Sequence, residues 1–129
     1  MGAYERNLET IPLPAGGDLT GNQYRFVTLD ADGKVIACSA DTDIPTGILQ
    51  NEPHAEDEVA DVGIGGISIC IAGGPIDEGK GVGPNATGKA EDHTTVGDKY
   101  IGARAITAAG ADKDQFSVLI APVAIRGHA

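Results

Sequence analysis

Residues 26–48, FVTLDADGKVIACSADTDIPTGI, lie over residues 81–103, GVGPNATGKAEDHTTVGDKYIGA, after a shift of 55 positions with no gap. Val27, Ala31, Gly33, Lys34, Asp43 and Gly47 coincide with Val82, Ala86, Gly88, Lys89, Asp98 and Gly102. Asp30 meets Asn85, a turn former of the same kind. A chain that repeats itself over such a span builds one supersecondary unit twice. In the first copy apolar runs flank Asp-Gly, a strong short signal for a hairpin. Asp32 and Gly33 are therefore turn residues, with Gly33 at positive φ and Lys34 restarting the strand. The second copy places Gly88 and Lys89 in the same roles, and Gly47 and Gly102 mark the later turn of each unit. The pattern predicts two strand–turn–strand units related by an approximate two-fold operation.

Composition agrees with short strands and tight turns. The chain of 129 residues holds 19 Gly and 7 Pro, no Trp, and only 4% aromatic residues. Its apolar residues are mainly small or β-branched, which suits strands. No stretch shows sustained helical periodicity. The length allows one domain. VADVGIGGISICIAGG (residues 59–74) alternates, with Gly65-Gly66 as a bulge or a turn within it, and QFSVLIAPVAI (115–125) is a final apolar strand. Tyr24 and Phe26 are read as one face of a strand. Residues 1–18 carry Pro12, Pro14 and Gly16-Gly17 and are read as an extended arm, with residues 19–129 as a single β domain. The arm's Tyr4, Leu8, Ile11 and Leu13 lack periodic partners, so they are expected to find burial on a neighbouring chain. The fold class is all-β, a small antiparallel barrel or a sandwich.

GPNATGKA (residues 83–90) fits the phosphate-binding spacing G-x-x-x-x-G-K, but its context does not. Ala90 stands where Ser or Thr would hold magnesium. No buried strand precedes the loop and no amphipathic helix follows it. It is read instead as the second copy of the LDADGK turn, with Lys89 exposed to solvent. Asp30 and Asp32 do not extend to a calcium loop, because Thr28 and Ser39 occupy positions that need acids. Asn85-Ala86-Thr87 is a glycosylation sequon, which has no use without export.

Function classes narrow by exclusion. Nine Lys and Arg against 19 Asp and Glu give a formal charge of −10, which disfavours nucleic acid and anionic membranes as partners. The first residues, MGAYERNLET, carry no apolar signal region, and Arg6 breaks the myristoylation pattern. Cys38 and Cys70 sit in apolar runs and are read as buried reduced thiols. His54, His93 and His128 are scattered on polar stretches and read as solvated. The acids between Glu52 and Asp61 are read as a solvated loop. No catalytic elbow, metal-ligand spacing or cofactor motif is present, so catalytic, cofactor and metal residues are expected to be none.

The order of motifs then points to a family. DLTGNQYRFVTLDADGKV (18–35), TDIPTGILQNEP (42–53), a Gly-rich strand (59–67), AGGPIDEG (72–79), TGKA (87–90), GDKYIGA (97–103) and a final apolar strand (116–121) together resemble the capsid cement, or head decoration, proteins of tailed bacteriophages. Glu56 departs from the pattern, where a Gly is expected. The resemblance implies a β-rich structural virion protein made in the host cytoplasm. It would bind the major capsid protein on the outer face of the expanded head, as a homo-oligomer, usually a trimer, with Tyr4, Leu8, Ile11 and Leu13 of the arm as the contacts to the capsid or a neighbouring subunit. It implies no enzyme activity and no cofactor. A binding module for a host glycan or receptor remains the alternative. Such sites favour exposed aromatic platforms, and only Tyr4, Tyr24 and Tyr100 could serve.

Overall fold

Among the described residues the longest strand is the alternating segment Val59–Ile71, and three other strands pair with it. A computed structural model describes residues 3–94 and 100–126, the last six as backbone only. The strands are β1 (Arg6–Pro14), β2 (Phe26–Leu29), β3 (Val35–Ala37), β4 (Gly47–Leu49), β5 (Val59–Ile71), β6 (Gly81–Pro84), β7 (Ala90–Asp92), β8 (Tyr100–Ala105) and β9 (Gln115–Arg126). The described residues contain no helix. All nine strands form one sheet in the order β3-β2-β4-β5-β9-β8-β6-β7, with β1 paired to β5. A single sheet rather than two packed ones decides for the barrel side of the expectation. Isolated bridges tie Ala15, just past β1, to Val35 of β3, and Ala72, just past β5, to Ala90 of β7. The sheet therefore curls into a half-barrel.

These pairings make the repeat explicit. β1, β2, β3, β4 and β5 form one unit, and β5, β6, β7, β8 and β9 form the next. β5 serves both: its first half is flanked by β1 and β4, and its second half pairs with β9. The two turns match atom for atom. Asp30 Oδ1 accepts from the amides of Asp32 and Lys34, each at 2.9 Å. Asn85 Oδ1 accepts from Thr87 and Lys89 at 2.9 and 3.0 Å. Gly33 and Gly88 both hold positive φ, 77° and 79°. The equivalence predicted for these two glycines holds.

Packing follows the same duplication. One buried cluster contains Ala15, Leu19, Val27, Val35, Leu49, Ala60 and Val62. At the corresponding places of the second unit stand Ala72, Ile76, Val82, Ala90, Ala105, Phe116 and Val118, all in the other cluster. Val35 and Leu49 shrink to alanine in the second unit, while Ala60 grows to Phe116. Interiors are packed to crystal-like density, so volume lost on two strands must return on a third.

Three sequence expectations change. Residues 6–14 do not reach away as an arm: β1 lies antiparallel along β5, from Pro14↔Val59 to Arg6↔Ile67. Leu8 packs against the larger cluster, and Ile11 and Leu13 against the smaller one, so these side chains are half-buried within the chain. Gly47 and Gly102 are not turn residues but buried strand positions in β4 and β8. A Cβ on Gly47 would sit 2.2 Å from Gly63 O, and one on Gly102 would sit 2.8 Å from Pro45 Cγ. Their role is close approach of neighbouring chain segments. Tyr24 lies outside β2, half-buried and at φ 67°.

The two turn glycines should respond differently to substitution. Gly33 has open space around it, so Gly33→Ala carries only the positive-φ penalty of about 1 kcal/mol. A Cβ on Gly88 would meet Phe26 O at 3.1 Å and Cys38 O at 3.3 Å. Gly88→Ala should then cost about 2 kcal/mol or more, because backbone must yield as well. Thermal melts of both variants check this, and equal losses would contradict the packing of the second turn against β2.

Candidate functional site

The P-loop-like segment has its polar groups already engaged. The amides of Thr87 and Lys89 serve Asn85, and Asn85 N donates to Lys89 O at 2.8 Å. Lys89 is not solvent-exposed. Its side chain keeps 12% of its surface, and Nζ lies 2.7 Å from Asp112 Oδ1. Lys34 has the equivalent arrangement with Glu56 at 2.7 Å and Asp57 at 2.9 Å. Hydrogen bonds to those two carboxylates raise the Lys34 pKa. Two of the acids read as freely solvated thus pin the first turn, and Asp112 pins the second. Lys89→Ala removes a buried aliphatic stem as well as a charge, so it should cost about 1 kcal/mol rather than nothing. The hydrogen bond from Lys89 holds the Asp112 carboxyl below its ordinary range. A depressed pKa adds stability above the unfolded value, and this is lost as pH falls below roughly 4. The gap between the variant and its parent in thermal melts should accordingly narrow in acid, with a constant gap counting against the pair.

Histidine and cysteine positions show how the repeat hides chemistry. His93 is fully buried, not solvated. Its Nδ1 lies 2.6 Å from Tyr100 O and its Nε2 2.9 Å from Glu91 Oε2. Gly83 makes room for the ring: a Cβ there would come 2.3 Å from Nδ1. His54 is exposed and its Nδ1 lies 2.7 Å from Thr20 Oγ1. Asp98 and His128 lie outside the described residues. Cys38 and Cys70 are buried free thiols, each pushed up to about 12 by burial. They stay protonated and unreactive at neutral pH. Among the described residues no three His, Cys, Asp or Glu side chains gather to hold a metal.

The outer edge of β1 bears on any partner that would extend the sheet. Ala15 donates to Glu58 O and accepts from Asp57 N, so its backbone faces β5. Alternation puts Ile11 and Leu13 in the same sense and turns Pro12 and Pro14 outward. Those outward positions have no N–H, which blunts the edge against a further strand. Tyr4 is tied down too: Ser117 Oγ donates to its carbonyl at 2.8 Å and accepts from its amide at 2.6 Å. The Tyr4 side chain stays half-exposed, with the Arg6 guanidinium 5.5 Å from its ring.

Concavities open on the surface of the described residues. One, of about 470 Å³, lies beside Tyr4, Glu78, Ile106 and Thr107. Another, of about 310 Å³, sits at the seam between the units and is lined by Gln23, Tyr24, Arg25, Glu52, Lys113 and Gln115 among others. Burial raises the pKa of the Tyr24 phenol, and the charge of Glu5 adds to the effect. Neither concavity was visible from motifs, because each collects residues from separate parts of the chain.

No family model matches the sequence, and no curated protein matches it. The fold is another matter. It is similar to the crystal structure of the head fiber gp8.5 N base in bacteriophage phi29, with a TM-score of 0.60 over 92% of this chain and 98% of that one. The folds are alike almost end to end. Sequence identity is 16%, so the likeness is one of architecture.

Proposed function

We propose that this chain is a structural virion protein of a bacteriophage, one that binds the outer surface of the expanded head and cements the shell. The observation that carries the reading is the fold likeness to a phage head-fiber base, which spans nearly the whole of both chains. It joins a resemblance to head decoration proteins that rests on the order of motifs along the sequence. The charge of −10 suits an outer surface rather than contact with packaged DNA. The role is structural, and no catalytic step is assigned to it.

Binding would be multivalent. A trimer spanning several capsid subunits gains effective concentration with each contact after the first. Protein that binds only the expanded shell stabilises it by mass action. The contact with the shell does not call on Leu8, Ile11 and Leu13, whose side chains already serve the core. Tyr4, with Arg6 over its ring, is the member of that set left for a partner. Nor does β1 offer a free edge along Pro12–Pro14, so docking by added strand pairing is assigned no part there.

The test is direct addition of the purified protein to undecorated expanded heads. Saturable, stoichiometric uptake with a rise in the temperature at which heads break is the expected result. Heads that neither take up the protein nor gain stability would remove the proposal. Sedimentation equilibrium of the free protein would decide between the trimer and other oligomers.

A further inference from the structure

We propose that the seam concavity is a binding subsite for a saccharide bearing an acidic group, a function separate from attachment to the head. The argument comes from the repeat, which supplies an internal control. Tyr24 and Gly79 are equivalent positions: Tyr24 N donates to Leu49 O and Gly79 N to Ala105 O, at φ 67° and 82°. Lys113 and Asp57 are equivalent in the same way: Asp57 N donates to Ala15 O and Lys113 N to Ala72 O, at φ 70° and 73°. The fold therefore demands a left-handed backbone at both positions in both units.

One member of each pair fits that demand. Gly79 has no Cβ to strain, and Asp tolerates the left-handed region better than most residues. Tyr24 and Lys113 do not fit it. Both of the ill-suited residues line the same concavity. Residues kept in disfavoured backbone conformations gather at functional sites, where the side chain is worth the strain. A purely structural seam would be better served by the residues the other unit already uses.

The lining tells what kind of ligand fits. Gln23 is held by its Nε2, which donates to Gln50 O at 2.9 Å, leaving Oε1 for a hydroxyl. Arg25 is held by Nη1, which donates to Thr87 O at 3.2 Å, leaving its other N–H groups. Glu52 is fixed through Oε2, which accepts from Gly21 N. Side chains anchored by one atom and open at another are preorganised for polar recognition. Tyr24 supplies an aromatic ring for a sugar's C–H face and a phenol for a hydrogen bond. Among the lining residues Arg25 and Lys113 outnumber Glu52, and their N–H groups select a carboxylate. A volume of about 310 Å³ suits one or two sugar rings.

Sodium D-glucuronate, methyl D-glucoside and sodium acetate are the probes, read by backbone amide shifts in a ¹H–¹⁵N spectrum. Glucuronate should saturate shifts at Tyr24, Arg25 and Lys113, while the glucoside binds about tenfold more weakly and acetate leaves those amides unmoved. Lys113→Asn and Tyr24→Asn should each weaken glucuronate binding, yet melt at the parent temperature or above it, because Asn suits a positive φ. Acetate acting like glucuronate, no response to glucuronate at tens of millimolar, or a fall of several degrees in both variants would each overturn the proposal. The full chain is used, so head uptake by the same variants can be followed separately and should be unchanged.

Discussion

A chain lacking residues 2–13 is expected to be unfolded or insoluble, not a trimmed version of the same domain. The deletion removes nearly all of β1, the strand that runs along β5 from Val59 to Ile67. It uncovers the cluster of Val27, Val35, Ala60 and Val62 where Ile11 and Leu13 lean on it, and takes Leu8 from the larger one. Each such side chain contributes about 1–2 kcal/mol even when only partly buried. The exposed edge of β5 would add unpaired backbone groups along its first half. The sum, roughly 5 kcal/mol or more, rivals the whole stability of an ordinary small domain. Far-UV circular dichroism and a melt of the truncated chain check this. A soluble, cooperatively melting product would show that β1 is an accessory after all.

Pro12 and Pro14 give β1 the look of an irregular arm in the sequence. They are two residues apart, however, so both missing N–H groups fall on the side away from β5, where an edge strand tolerates them. Ile11 and Leu13 alternate with them at strand period, which was the signal to weigh. The turns were legible because Asp-Gly and its equivalent set their own hydrogen bonds locally. The bulge at Gly65-Gly66 was legible too, since β1 shifts register opposite it.

The polar neighbours of His93 and Lys89 in sequence hide their burial, which the repeat carries. His93 stands where the first copy has Cys38, a residue already read as buried, and Gly83 opens the space for it. Lys34 and Lys89 coincide in the overlay. Their acids follow once the shift lengthens by one residue, as it does where Asp57 answers to Lys113: Glu56 then answers to Asp112, and each pairs with its lysine. The seam concavity had no such signal. It joins Tyr24 of one unit to Lys113 of the other, and only folding brings them together.

Gly66→Val should be among the most damaging substitutions at the described glycines, with a loss of about 4 kcal/mol or more, the range reached by backbone strain added to a steric clash. Gly66 holds φ at 82°, a conformation that a β-branched residue resists. A Cβ there would come 2.1 Å from Asn7 O, 2.6 Å from Asn7 C and 3.0 Å from Leu8 Cα. All three are backbone atoms, so no rotamer change relieves the contact. β1 itself would have to lift, and Asn7 is already at positive φ to make the crossing. The neighbouring glycine is the control. A Cβ on Gly65 meets only the Glu9 side chain, at 3.3 Å and 3.7 Å, and its backbone carries no positive φ. A flexible glutamate can move aside, so Gly65→Val should cost about 1 kcal/mol, as ordinary substitutions do. Urea titrations of the two variants give the comparison, read as the shift in midpoint at constant slope. Equal midpoints would mean that β1 does not press on β5 at Gly66, and the expected collapse on deleting residues 2–13 would lose its structural basis with it.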